Sequence, residues 1–199
     1  RGEYLLFLNN DVEIITESWL EEMLQLCQQK DVGMAGAKLY YPDDTIQHAG
    51  VVVGLGGVAA HVLCKLPRDA EGYMGRLRCV QEISAVTAAC MMVKTSVFKA
   101  VGGFDEELKV AFNDIDLCMK VRKYGVKIVF TPYAELYHYE SKSRGMEDTP
   151  EKQLRFSREV NCFRRKWERE LLKGDPYYNP NLTLNNTDCS LRKQEKNGD

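Results

Sequence analysis

Three polar clusters in this 199-residue chain carry residue types that can do chemistry: Asn9-Asn10-Asp11, Asn113-Asp114-Ile115-Asp116, and His138 followed by Ser141, Ser143 and Arg144. A carboxylate and an imidazole brought together suit Mn²⁺ or Mg²⁺, with waters and a substrate phosphate filling the remaining positions. A second carboxylate close by, not tied to the metal, can act as a general base. Serine and arginine side chains can donate hydrogen bonds to phosphate oxygens. The three clusters are far apart in sequence, so this chemistry requires a fold that gathers them.

Each cluster has an ordinary reading as well. A carboxylate at a strand end commonly caps a helix or forms a turn. Asp114 and Asp116 fall in the first turn of a predicted helix, where acids favour the helix dipole whatever their role. His138 shares its face with Ala134 and Leu136, the pattern of a core histidine. The same residue types would also serve a metal phosphohydrolase, though that chemistry usually needs more ligands.

The elements that must position the clusters are legible as follows. Glu3 to Leu8 is a short apolar run, typical of a strand buried on both faces in a parallel sheet. It ends at Asp11, where ligands bind beyond the carboxyl ends of strands in open α/β sheets. Thr16 is a plausible cap for a helix carrying Trp19, Leu20, Met23, Leu24 and Cys27. Val32 to Tyr41 reads as a strand, and glycine-rich Gly50 to Gly57 as strand and loop without phosphate-loop spacing. Residues 61 to 80 read as irregular, and Ile83 to Val93 as a second buried strand. Ser96 to Val101 is a short helix. Asn113 caps a helix that reaches Tyr124 with Gly125 beyond its end. Val126 to Phe130 and Ala134 to Tyr139 read as two strands separated by Thr131-Pro132. Phe156, Val160, Phe163, Trp167 and Leu171 form one stripe on a long amphipathic helix over 151–173. The stretch from Gly174 to Asp199 is rich in Pro, Asn and charge and is expected to be extended or disordered toward the end.

Composition excludes several classes. Hydrophobic content of 44%, charged content of 28% and a formal net charge of −2 fit a globular protein with no global field for nucleic acid. No apolar run approaches the ~20 residues of a membrane span. The seven cysteines include no CxxC pair, which points to reduced thiols and a cytoplasmic setting rather than a disulfide framework. Two Asn-x-Thr acceptor patterns, at Asn181 and Asn185, carry little weight in that setting.

Taken together, several blocks resemble family-2 glycosyltransferases of the GT-A fold, in particular bacterial rhamnosyltransferase-like members. They are Leu5-Leu-Phe-Leu-Asn-Asn-Asp-Val12, Gly36-Ala-Lys-Leu-Tyr-Tyr-Pro-Asp43, Gln47-His-Ala-Gly50, Thr87-Ala-Ala-Cys90, Val101-Gly-Gly-Phe-Asp-Glu106, Phe112-Asn-Asp-Ile-Asp-Leu-Cys118 and Tyr137-His-Tyr-Glu-Ser141. Their order and spacing are far more specific than any one block. The resemblance implies an α/β fold with a mixed sheet and flanking helices. Residues 1–145 would form the C-terminal part of the catalytic domain, with the first strands and the nucleotide pocket preceding Arg1. Residues 146–199 would add an amphipathic helix and an extended tail.

The resemblance also assigns roles. Asp11 and His138 would bind the divalent metal, with Asn9 standing where the family has its first acid. Asn9, Asn10, Ser141, Ser143 and Arg144 would face the nucleotide-sugar donor. Asp114 would be the base of an inverting transfer, with Asn113 departing from the family's acidic pair. Gly103, Phe104, Asp105 and Asp116 would lie toward a glycan or lipid-linked acceptor, in a setting of bacterial polysaccharide and cell-wall synthesis. A chain lacking the nucleotide half could instead serve as a non-catalytic binding or scaffold module. Peripheral contact of 151–173 with the inner face of a membrane would require Trp167 and the basic stripe to face outward; packing of Trp167 back on the domain is the preferred expectation.

Overall fold

The computed structural model describes residues 2–139 and 149–193. Its centre is a mixed sheet of seven strands: β1 (Tyr4–Leu8), β2 (Val12–Ile14), β3 (Val32–Tyr40), β4 (Ile46–His48), β7 (Gln81–Glu82), β8 (Cys90–Lys94) and β9 (Lys127–His138). Strands β5 (Val51–Val53) and β6 (Ala59–His61) pair separately. The helices are α1 (Trp19–Cys27), α2 (Thr95–Ala100), α3 (Asn113–Tyr124), α4 (Pro150–Lys166) and α5 (Glu168–Lys173). The main path runs β1-β8-β3-β9-β2, with β4 on β3 and β7 on β9.

β3 is the spine, buried at all nine positions as expected of a strand covered on both faces. Ala35, Ala37 and Leu39 face α1 with Met23, Leu26 and Cys27. Met34 and Tyr40 face the larger core, which also holds Ile115, Leu117, Phe163, Trp167, Tyr178 and Leu182. Gly36 has no room for a side chain, because a Cβ there would sit 2.3 Å from Val86 Cγ1. That close approach seats the segment before β8 directly on the spine.

Several elements differ from the sequence reading. β1 is not buried on both faces: Leu6 and Leu8 are exposed, and the strand pairs antiparallel with β8. The run from Ile83 to Val93 forms a continuous strand only from Cys90 onward; before it, Ala85 makes an isolated bridge to Val51, and Ala85 and Val86 are buried in the core. The two strands expected around Thr131-Pro132 are one strand, β9. Gly36 pairs with Phe130 and Lys38 with Glu135, so the residues around Pro132 bow out of the ladder opposite Ala37. Proline lacks the N–H that a regular ladder needs at this point. The long helix breaks at Trp167 into α4 and α5. The described part of the tail is not a free extension: Tyr178, Leu182 and Cys189 are buried, Val53 N–H donates to Asp175 and Leu63 N–H to Thr187 O.

Candidate active site

β2 lies antiparallel on the end of β9, with Val12 opposite His138, and Tyr139 N–H donates to Asp11 O at 2.8 Å. This register, rather than any local motif, places Asp11 beside His138. Asn9 Nδ2 lies 3.0 Å from His138 Nε2, and Asp11 Oδ1 lies 3.3 Å from the same nitrogen. Both Asp11 and His138 are largely sheltered, with side chains 14% and 11% exposed, which strengthens electrostatics between them. Asn10 is exposed at the intervening turn.

The second carboxylate is brought in through a short bridge. Asn9 N–H donates to Ala89 O at 3.0 Å, and Ala88 N–H donates to Asp114 Oδ2 at 3.1 Å. Residues 88 and 89 therefore tie the end of β1 to the start of α3. The N–H of Ile115 holds the other oxygen, Oδ1, at 2.9 Å. Asp114 is half-buried, its carboxylate orientation set by two backbone donors.

The entry to α3 is itself braced. Asn113 is the first helical residue rather than the cap; the preceding residue, Phe112, takes a left-handed conformation at φ 62°. Such a conformation in a bulky residue costs on the order of 1–3 kcal/mol unless its surroundings impose it. Here Phe112 packs against Phe163 and Phe156, with ring centroids 5.4 and 5.8 Å away. Glu159, buried in α4, accepts from the N–H groups of Lys109, Val110 and Ala111 at 3.2, 3.3 and 2.7 Å. Helix α4 thus grips the loop that delivers Asp114. Sequence reasoning does not find this role for Glu159; the signal that could have found it is a carboxylate placed on the apolar stripe of Phe156, Val160 and Phe163.

Asp116 departs from the expected acceptor side. Its side chain is 0% exposed: Oδ1 accepts from Trp167 Nε1 at 2.8 Å and meets Lys166 Nζ at 2.8 Å, and Lys120 Nζ stands 3.3 Å from Oδ2. It is a buried anchor inside the fold, out of reach of an acceptor. Trp167, whose indole makes that bond, is 4% exposed, so the outward-facing tryptophan needed for the membrane reading is absent. Asp105 pairs with Lys166, which holds its carboxyl below the usual range. The Gly103 carbonyl accepts from Lys120, and Phe104 packs edge-on against Phe7 at 5.0 Å. Gly103 and Asp105 are thus held by Lys120 of α3 and Lys166 of α4. Ser141, Ser143 and Arg144 lie outside the described residues.

The donor set fits a small divalent cation. Adjacent ligands on an octahedral Mg²⁺ or Mn²⁺ with bonds near 2.1 Å are about 3 Å apart, close to the 3.3 Å between Asp11 Oδ1 and His138 Nε2. Among the described residues no three acidic, histidine or cysteine side chains cluster as a full cage. Two protein ligands with waters and phosphate are the usual arrangement for such ions in phosphate chemistry.

Comparison with known proteins places the chain in a family. The family described as "Glycosyltransferase like family" matches residues 1–159. The chain belongs to it. Among curated relatives of this glycosyltransferase-like chain, the uncharacterized protein y4gI of Sinorhizobium fredii is 57% identical over 192 residues, covering 96% of this chain and 21% of that protein. The O-antigen biosynthesis protein RfbC of Myxococcus xanthus is 41% identical over 199 residues, all of this chain and 15% of that protein. An N-acetylglucosaminyl-diphospho-decaprenol L-rhamnosyltransferase of Mycobacterium tuberculosis is 36% identical over 62 residues, 31% of this chain and 20% of that protein. The chain thus spans about a fifth or less of the curated relatives it matches. Among solved structures, GalNAc-T7 with UDP, GalNAc and Mn²⁺ aligns with a TM-score of 0.58 and 14% identity over 86% of this chain and 33% of that one. The mannosyltransferase PcManGT of Pyrobaculum calidifontis, in complex with GDP-Man and Mn²⁺, aligns at 0.52 and 14% over 85% and 40%. The fold of this family member is that of GT-A glycosyltransferases.

Proposed function

We propose that this chain carries the metal and base positions of an inverting glycosyltransferase that moves a sugar from a nucleotide-diphosphate donor to a hydroxyl of a glycan or lipid-linked acceptor. The observation that carries the reading is the convergence at one sheet edge of Asn9, Asp11 and His138, joined through residues 88 and 89 to Asp114. The relatives in O-antigen synthesis and decaprenol-linked rhamnosyl transfer support a polysaccharide setting and a lipid-linked acceptor.

Asp11 and His138 would hold the divalent ion, whose contribution is to offset charge growing on the leaving diphosphate. Asn9 Nδ2 stands 3.0 Å from the same Nε2 in the metal-free chain and would give up that contact when Nε2 takes the ion. Asp114 takes the proton of the acceptor hydroxyl as its oxygen attacks the anomeric carbon. One C–O bond forms on that face while the bond to the diphosphate breaks on the other, and the electron pair leaves with the phosphate. Single displacement inverts the centre. The two backbone donors keep the Asp114 carboxylate aimed; within the reacting complex it must come within about 3 Å of the hydroxyl.

Calorimetry with nucleoside diphosphates and Mn²⁺ tests the donor half of the reading. In the protein that contains this chain, micromolar binding that disappears in Asp11→Ala is the expected outcome. Absence of binding to that unaltered protein would favour a scaffold module that holds glycan without transferring sugar. Among the described residues no helix is long and apolar enough to cross a membrane.

A further inference from the structure

Gln47, to which none of the roles above is assigned, sits in β4 with its side chain buried against His138. Its placement is irregular. Tyr40 pairs with Ile46, but Leu39 pairs with His48, so Gln47 is the extra residue of a β-bulge. Bulges of this kind re-aim a side chain beside functional sites. Here the side chain crosses to the end of β9, while the Gln47 carbonyl lies 2.9 Å from His61 Nδ1, which anchors its backbone.

The amide meets two atoms of one residue, and that resolves the protons. The His138 carbonyl oxygen can only accept, so the amide atom 3.2 Å from it is the Nε2 donor. The Gln47 oxygen is then turned onto His138 Nδ1 at 2.7 Å. An amide oxygen can only accept, so Nδ1 carries the hydrogen. In the neutral ring the lone pair is on Nε2, consistent with the Asn9 amide donating to it. That lone pair and the Asp11 carboxylate, 3.3 Å apart, repel unless they share a positive charge.

We propose that Gln47 is a positioning residue that holds His138 as the Nδ1–H tautomer and aims Nε2 at Asp11, so that imidazole and carboxylate form one side of a divalent-cation site. The inference rests on reading Asp11 and His138 as a metal pair. It extends that reading to an amide whose loss should be felt as metal affinity: partners that orient a ligating histidine are typically worth 10–100-fold in affinity or activity.

The test uses nitrogen-15 NMR of the metal-free chain at about pH 8, above the ordinary histidine range, and Mn²⁺ titration of the same samples. His138 signals are identified by their loss in His138→Ala. The unaltered chain should show His138 as Nδ1–H. Gln47→Leu, close in volume, should mix the tautomers and weaken Mn²⁺ binding roughly 10–100-fold. Gln47→Glu keeps the acceptor facing Nδ1 and should retain that tautomer, an asymmetry that a merely structural role would not produce. An Nε2–H or doubly protonated His138 in the unaltered chain overturns the proposal, as does a folded Gln47→Leu with unchanged tautomer and unchanged Mn²⁺ affinity. Mn²⁺ binding that is the same in the unaltered chain and Asp11→Ala overturns the metal reading itself, and Gln47's role toward the metal with it. Intact, Asp11-dependent binding in Gln47→Leu overturns the role of Gln47 alone.

Discussion

Asp114 and Asp116 stand two residues apart in the first turn of α3, yet the fold puts them in opposite environments. Asp114 is half-buried, held by backbone N–H groups, with no lysine ion pair among the described residues. Asp116 is sealed inside, where Lys166, Lys120 and the Trp167 indole meet it. One carboxylate is aimed and left accessible; the other is neutralised and fills a structural role. Lys166 reflects the second environment: burial pulls its pKa down, but Asp105 and Asp116 outweigh burial and hold it above the usual lysine value. Residues of identical type and nearly identical sequence context thus divide between a half-buried carboxylate held by backbone donors and a buried ion-pair anchor according to what the rest of the chain packs against each.

That contrast can be broken by substitution at each position. Asp114→Asn should lower acceptor-dependent release of nucleoside diphosphate by about 10²–10⁴-fold, the usual contribution of a general base, while the melting temperature hardly moves. An Asp114→Asn protein of full activity would refute the base assignment. Asp116→Asn should do the reverse. Removing one partner of a buried ion cluster costs on the order of 3–5 kcal/mol, read as a fall in melting temperature at about 2–4 °C per kcal/mol for a chain of this size. A thermally unaltered but inactive Asp116→Asn would collapse the distinction.

Smaller changes sharpen it. Trp167→Phe removes the indole donor from Asp116 but leaves both lysines, so a loss of about 1–3 kcal/mol is expected in urea unfolding, with donor binding unchanged. The smallest effect is one of pH. His48 is buried beside the site, and burial, then His61 and His138, push its pKa well below 6.5. Its Nε2 has no hydrogen-bond partner among the described residues. The unfolded chain takes up a proton near 6.5 that folded His48 refuses. Stability from this group is therefore present above that pH and lost as the pH falls, at up to about 1.4 kcal/mol per pH unit. Urea unfolding above and below that value should show this slope in the unaltered chain and a weaker one in His48→Gln.

Parts of this arrangement are legible in the amino-acid sequence. The helix over Asn113–Tyr124 follows from its periodicity and from Gly125, which closes it at φ 97°. The buried character of β3 follows from its uninterrupted small and apolar residues. Asn9-Asn10-Asp11, Asp114 and His138 stand out as polar groups at element ends, and the order of the blocks points to the glycosyltransferase-like family that contains this chain. Other local signals mislead because each has two physical solutions. Thr131-Pro132 ends a strand in most settings, but here the four-residue bow lets β9 continue to His138. Asp116 looks as available as its neighbour until Trp167 and Lys166, about fifty residues later, close over it.

The sequence alone determined residue chemistry, helix periods and the carboxylates and imidazole available to a site. Those depend on side-chain type and short-range spacing. Tertiary structure decided which of them meet: the register of β2 on β9 sets Asp11 against His138, the bulge at Gln47 turns an amide onto that imidazole, and α4 fixes the entry to α3 through Glu159. The reason is physical. Contacts between residues 9 and 138, 47 and 138, or 116 and 167 depend on long-range strand pairing and helix packing, and these are settled only when the whole core closes.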